Sequence, residues 1–504
     1  MKANYQSVNS FGELCEATGQ SIVECRLNGS DIAKVLLSEP SVCLQQATCE
    51  NGEIKYSGKL LVAFVYEDVS GKLCRAERGA EFFHKAENPL IAPAHTAVGE
   101  LTVPSVKLRR EGGQLIATCI VEAKFSVLGE RRHTYVSGGE GLLVQKRAMP
   151  IYSQYVATAT VEEEDEFECD FAQDILLHTE CATVSDVRSG IGQVDVSGET
   201  CLRFCLLRAD GSLCCYERLT PIKAQVLLDN VLPEMAATAK LRVLSAQVSA
   251  ATDEEGGRSK IVLSYRVEVE VCAYEKAETE FAVDAYSTEV ETGLKWQNTA
   301  TRYAMNTKTV TERIHGSPIL SGSLDGEKTL LAVLCPRVSA SWQATSDGAE
   351  AQGVIEAKAL FRQADGGVES MDVALPFLFP IELAQKDGDG RVSAELICSV
   401  YGFGLRVRAG GETEAEATVK VRVISYGEAT ADYLSEVAPG EKKTEKSCAI
   451  SVYMTSEGED LWTTAKRLSL TPEQLMEANP SLTFPLKGDE RIVIYRQKRE
   501  NLQK

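Results

Sequence analysis

Acid–base, nucleophilic or metal chemistry in this 504-residue chain would have to come from five histidines, sixteen cysteines and a large excess of carboxylates. His84, His95, His133, His178 and His315 are scattered, and no His-x-x-x-His or Cys-x-x-Cys spacing occurs, so a zinc site has no support. Cys214 and Cys215 are adjacent in a strand-like stretch. Neighbouring strand residues point to opposite faces, so one buried and one exposed thiol is expected there rather than a redox pair. Gly138-Gly-Glu-Gly141 is rich in glycine but lacks the Lys-Ser/Thr ending and the strand-to-helix setting of a phosphate loop, and reads as a flexible loop. No Gly-x-Ser-x-Gly elbow is present, and the carboxylates are too plentiful for one pair to stand out as acid and base. The expectation is a non-enzyme with no catalytic residues, no cofactor and no metal.

Composition narrows the class further. Apolar residues make up 44% and charged residues 25%, as in globular rather than disordered chains. A net charge of −20 argues against a phosphate-binding surface, which needs a basic face. From Cys448 to Lys504 the acidic and basic residues number eight each, so the whole excess lies before residue 448. The tail is therefore a separate compositional unit. The cysteines are too dilute for a disulfide scaffold, and Cys119, Cys201, Cys205, Cys272 and Cys398 sit in strand-like runs, where free thiols pack as small hydrophobes. The first residues, Met1-Lys-Ala-Asn-Tyr-Gln-Ser-Val, have no apolar core of a signal peptide. No run reaches the roughly 20 apolar residues of a membrane span. A cytosolic or peripheral location is expected.

The elements that would position any site are announced by a repeat. Gly58–Gly71, Gly198–Gly211 and Gly353–Gly366 align without a gap, bringing Tyr66, Leu206 and Phe361 together, and then Glu77, Glu217 and Asp372. Each copy has an apolar strand pattern, an Asp/Ser-Gly turn and a second strand, a hairpin signature. Gly71, Gly211 and Gly366 are expected in the turns, and Gly58, Gly198 and Gly353 at strand starts or bulges. Self-similarity of this kind sets the architecture.

Residues 1–31 give only a weak helical or irregular signal. Gln114–Leu128 alternates like a half-buried strand, and a less regular connector follows from Gly129 to about Ala159. The acidic run from Glu162 to Glu166 reads as a solvated boundary or as an edge-strand device against pairing. Ile261–Cys272 alternates most clearly, with Val267, Val269 and Val271 on one face, as in an antiparallel sheet wet on one side. Many short strands with glycine turns indicate sandwich-like β modules. The expected layout is β modules at 1–150, 151–300 and 301–437, and a charged linker at 438–447. A small α+β domain at 448–496 and a basic tail at 497–504 complete it.

In the small domain Ile450–Met454 is a strand, and Asp460 can cap a helix carrying Leu461, Trp462, Ala465 and Leu468. Thr471-Pro-Glu-Gln474 is a capping box that opens a second helix. Asn479-Pro480 ends it, and Arg491–Tyr495 returns as a strand, giving βααβ. Leu461 and Trp462 are expected in the core of so small a unit. The segments Gly458-Glu-Asp-Leu461-Trp462, Leu475-Met-Glu-Ala-Asn479-Pro480 and Leu486-Lys-Gly488-Asp-Glu-Arg-Ile492-Val-Ile494 resemble the LysM domain. The family's Gly-Asp-Thr is Gly458-Glu459-Asp460 here, so a carboxylate replaces the hydroxyl residue beside the glycan groove.

Three β repeats followed by one LysM-like domain resemble the SPOCS-domain spore-coat assembly proteins of endospore-forming bacteria. The match in the β repeats rests on Asp31-Ile-x-Lys-Val-Leu, Asp174-Ile-Leu-Leu and the hairpins. The resemblance implies a non-enzymatic adaptor in the mother-cell cytoplasm, peripheral at the forespore surface, whose LysM domain binds a SpoIVA-like coat morphogenetic ATPase. The loop residues available for a partner are Gly458, Glu459 and Asp460, with Asn479, Pro480, Ser481 and Leu482 facing them. The first alternative is a peptidoglycan or cortex binder that uses the same loops for N-acetylglucosamine-containing glycan. The second is a wall hydrolase that uses LysM for targeting.

Overall fold

Three hairpins of like sequence fold in one register. Gly58 lies opposite Phe82, Gly198 opposite Ile222 and Gly353 opposite Phe377, while Glu77, Glu217 and Asp372 face Ala63, Arg203 and Lys358. The computed structural model describes residues 1–170, 174–208, 210–252, 258–324, 328–346, 348–384, 392–408, 411–444 and 450–495. The first repeat contains β1 (Lys2–Asn28), β2 (Ile32–Glu50), β3 (Glu53–Asp68), β4 (Leu73–Glu87), β5 (Thr96–Glu111) and β6 (Gln114–Glu140). The second contains β7 (Leu143–Asp170), β8 (Asp174–Ser189), β9 (Gln193–Leu207), β10 (Leu213–Leu227), β11 (Ala236–Thr252) and β12 (Arg258–Tyr286). The third contains β13 (Val290–Gly316), the short β14 (Ile319–Leu320), β15 (Thr329–Thr345), β16 (Gly348–Arg362), β17 (Val368–Ile381), β18 (Val392–Val407) and β19 (Thr413–Lys442). The tail holds β20 (Ile450–Met454), α1 (Leu461–Leu468), α2 (Pro472–Ala478) and β21 (Arg491–Tyr495).

The chain is mainly β and its sheets are small and antiparallel. Each repeat contributes a meander, β2-β3-β4, β8-β9-β10 or β15-β16-β17, the last extended by β14. Each also has a second sheet in which the first strand pairs with the last and the last with the one before it: β1-β6-β5, β7-β12-β11 and β13-β19-β18. Strand alternation divides the central meander strands between two environments. Leu60, Val62 and Phe64 point into the core of the first repeat. Leu202 and Phe204, the counterparts of Val62 and Phe64, enter that of the second, and Ile355, Ala357 and Ala359, the counterparts of all three, that of the third. The opposite faces meet one another. Val65, Cys205 and Leu360 align position for position, as do Leu37, Leu177 and Ala332, and all six lie in one buried cluster shared by the three repeats.

The repeats meet a second time. The long strands β6, β12 and β19 outrun their sheets and pair only with β1, β7 and β13, as two-stranded ribbons. Tyr135, Phe281 and Tyr433, one from each ribbon, form a buried trio. Phe281 stacks on Tyr433 at 4.7 Å and 19°, and Tyr135 meets Phe281 edge-on at 4.8 Å.

These ribbons overturn the expectation of short strands, since β6, β7, β12, β13 and β19 each run for 27 to 30 residues. Segment 129–159, read as a connector, lies mostly within β6 and β7. Its pattern is irregular because one strand passes from its own sandwich into the shared trio. Residues 1–31, read as helical or irregular, are largely β1, an edge strand whose Val23, Cys25 and Leu27 alternate into the core with Ala17. Residues 150 and 300 fall inside β7 and β13. The acidic run lies within β7, an edge strand, with Asp165 paired to Arg218 at 2.7 Å and Glu166 to Lys260 at 2.6 Å. It is therefore an edge device and not a boundary. In the linker read at 438–447, Pro439 to Lys442 belong to β19 and pair with β13, while 445–447 lie outside the described residues.

Gly138 and Gly139 are the end of β6 rather than a flexible loop, because pairing with Asn4 and Ala3 holds them. Gly58, Gly198 and Gly353 lie mid-strand, not at strand starts. A Cβ on Gly353 would sit 2.2 Å from the Ser339 carbonyl oxygen and 2.5 Å from the Phe377 ring, so only glycine lets the strands pack there. The turn glycines Gly71, Gly211 and Gly366 have φ of +80°, +77° and +91°, a conformation other residues adopt at a cost.

Candidate functional site

The tail builds its site from two loops zipped together by backbone. Gly458 N–H donates to the Leu486 carbonyl at 2.8 Å, and Leu486 N–H to the Glu459 carbonyl at 2.9 Å. Gly458, exposed, turns the chain with φ +83°. Asp460 caps α1, its carboxylate accepting from Thr463 N–H at 2.7 Å and from Thr463 Oγ1 at 2.9 Å. The capping box holds, with Thr471 and Gln474 bonding reciprocally and Pro472 opening α2. Glu459 is turned inward. It accepts from Ser456 N–H at 3.1 Å and Tyr453 Oη at 3.3 Å and pairs with Arg467, whose guanidinium lies 4.3 Å from the Tyr453 ring centre. Of the two carboxylates expected beside a glycan groove, that of Glu459 is thus answered inside the domain, while that of Asp460, in the place of the family's hydroxyl residue, stays exposed at the helix cap.

The facing loop is divided. Asn479 is buried and ties α2 to β21: Nδ2 donates to the Leu475 and Val493 carbonyls at 3.2 and 3.0 Å, and Oδ1 accepts from Val493 N–H at 2.8 Å. Leu482 is in the tail core. Pro480 and Ser481 are exposed. Of the seven loop residues, Gly458, Asp460, Pro480 and Ser481 are open to a partner. Glu459 is half-buried, and Asn479 and Leu482 are structural.

The seat of the tail was not legible in the sequence. Trp462 is half-buried and stands against the second repeat: its Nε1–H donates to Asp284 Oδ2 at 2.8 Å, and its ring meets Tyr286 edge-on at 4.9 Å. Lys466 pairs with Asp284 at 2.5 Å, and Tyr286 Oη donates to the Leu470 carbonyl at 2.8 Å. These partners are 176 to 184 residues apart, and no local pattern links them.

Chemistry-bearing side chains gather at one other place, the outward face of the β8-β9-β10 meander. Three rows cross it: Leu177–Cys205–Cys215, Thr179–Arg203–Glu217 and Cys181–Cys201–Leu219. Arg203 Nε donates to Glu217 at 2.8 Å, and Glu217 accepts from Gly402 N–H of the third repeat at 3.1 Å. A cavity of about 150 Å³ opens here, lined by Arg203, Cys205, Cys215, Cys335 and His178 among others. Cys214 is half-buried and Cys215 exposed, on opposite faces as strand alternation requires. The histidines stay dispersed. His133 is buried against Ser10 Oγ at 2.8 Å, and His84 bonds the Gln20 carbonyl at 2.6 Å. Among the described residues no cluster of three or more His, Cys, Asp or Glu is arranged to hold a metal, and no helix is long and apolar enough to cross a membrane. No family model, curated protein or solved structure gives a significant match to this chain.

Proposed function

We propose that the chain is a non-enzymatic binding scaffold in which three β repeats form a rigid body and the tail presents a partner-binding loop pair. On the resemblance of its tail and its repeat order, it acts in spore-coat assembly, tethering a coat morphogenetic ATPase at the forespore surface. The observation that carries this reading is the way the tail is held. Its α1 side is fastened to Asp284 and Tyr286, while Gly458, Asp460, Pro480 and Ser481 stay exposed. A surface held by a second anchoring face can transmit a load from partner to scaffold.

Glycan binding by the same loops is the competing reading, favoured by the inward turn and pairing of Glu459. Binding of the full chain to the coat ATPase and to chitin oligomers, with and without Ser481→Arg, decides between them. The adaptor reading expects ATPase binding that drops at least tenfold in the variant, with an unchanged circular dichroism spectrum. Chitin binding without ATPase binding transfers the protein to the wall-binding class. Binding of neither sinks the tail as the site.

A further inference from the structure

We infer that Cys205 and Cys215 are a peroxide-responsive thiol pair that closes to a reversible disulfide on the outward face of the second repeat. The pairing is independent of the adaptor reading. The two residues lie directly opposite across β9 and β10, so both side chains leave the sheet on one face.

Their type of pair follows from the turn. Arg208 N–H donates to the Ser212 carbonyl at 2.9 Å, which makes 208 and 212 a hydrogen-bonded pair. Counting back, the pairs alternate, and Cys205–Cys215 is a non-hydrogen-bonded one. Cα atoms in such pairs are about 4.5 Å apart, inside the disulfide range of about 4.4–6.8 Å. The same alternation puts Cys181–Cys201, on the other side of β9, at a hydrogen-bonded pair, where the Cβ atoms stand farther apart.

The surroundings assign a role to each sulfur. Cys215 is exposed and lines the cavity, where peroxide can reach it, whereas Cys205 is buried in the shared cluster. The Cys205 thiol facing it holds Cys215 below the usual thiol range, while Cys215 and burial push Cys205 up; the Cys215 sulfur also lies 4.0 Å from the Val333 carbonyl oxygen. The Arg203 guanidinium is one row away on the same face. Cys215 is thus the attacking thiolate and Cys205 the resolving thiol. The fold does not demand sulfur here, since the aligned positions hold Val65 and Arg75 in the first repeat and Leu360 and Ser370 in the third.

The chemistry balances. The Cys215 thiolate attacks one oxygen of hydrogen peroxide, the O–O bond breaks, and the departing hydroxide takes up a proton, leaving a sulfenic acid. The Cys205 sulfur then attacks that of Cys215, the S–S bond forms, and a second water leaves. Two thiols lose two electrons and two protons, and one peroxide becomes two waters. A small thiol in the medium reverses the bridge by exchange.

The test treats the full chain with equimolar hydrogen peroxide, alkylates the remaining thiols and maps tryptic peptides by mass. Cleavage after Arg203, Arg208 and Arg218 separates the peptide of Cys205 from that of Cys214 and Cys215. The pair predicts that these peptides are recovered linked, lighter by two hydrogen atoms, and separate on reduction. Cys214→Ser should keep the link and Cys215→Ser remove it. Cys205→Val, which restores the residue of the first repeat, should remove it in a chain that packs normally. Alkylation of both sulfurs after peroxide, a link through Cys214, or a Cys181–Cys201 bridge in its place would each overturn the inference.

Discussion

The same three repeats meet twice, and the two junctions are built differently. At the ribbon junction each repeat contributes an aromatic ring from its last strand, and Tyr135, Phe281 and Tyr433 fill one buried space. At the meander junction aligned positions also converge, but the second repeat brings Cys205 where the others bring Val65 and Leu360. Beside it stand Arg203 and Cys215. Equivalence of position decides that the repeats touch. The side chain at each position decides whether a contact only packs or can also react. Tail docking is a third asymmetry, because Asp284 and Tyr286 at the tip of the second ribbon receive it, with Lys443 after the third ribbon donating to Ser469 Oγ at 3.0 Å.

The largest test removes the shared ring. Phe281→Ala should cost about 3–5 kcal/mol, as for other buried aromatics. Because the space is common property, amide exchange should rise in β6 and β19 as well as in β12. Protection lost in β12 alone would break the idea of a shared core. Next comes the close approach inside a repeat. Gly353→Ala must displace the Ser339 carbonyl or the Phe377 ring and should cost about 1–3 kcal/mol in chemical denaturation. Gly71→Ala meets open space and carries only the left-handed backbone strain, about 1–2 kcal/mol.

Asp284→Ala leaves the Trp462 indole N–H and Lys466 without their acceptor. It should weaken tail docking by about 1–3 kcal/mol, read as faster exchange in α1 with β6 unchanged. Equal exchange throughout would mean the tail is not seated there. The smallest effect is of pH. Burial, and then the Arg131 cation, hold His133 below the ordinary histidine value of 6.5, and its ring lies 6.4 Å from Tyr433. The unfolded chain therefore binds the proton first. Its contribution is whole above pH 6.5 and is withdrawn as the pH falls from there toward the depressed folded value. His133→Phe should flatten the acid limb of the thermal stability curve.

The legible parts were local. The caps of α1 and α2, both tail strands and the turn glycines follow from residue types a few positions apart, and the structure places each where those types require. The gapless hairpin alignment foretold a common register because register depends on alternation and turn geometry. The strand over residues 2–28, in the segment 1–31, and the strands across 129–159 were not legible. Their polar, irregular patterns become strands only because each ribbon pairs with its partner and leans on two others.

The sequence alone determined the β repeat, its hairpins and the βααβ tail, since propensity, period and capping act over a few residues. Only the tertiary structure decided that Cys205 faces Cys215, that three rings share one core and that Trp462 rests on Asp284. Each of those contacts joins residues between ten and about 300 positions apart, and sequence pattern carries no information on which faces will meet once strands are packed.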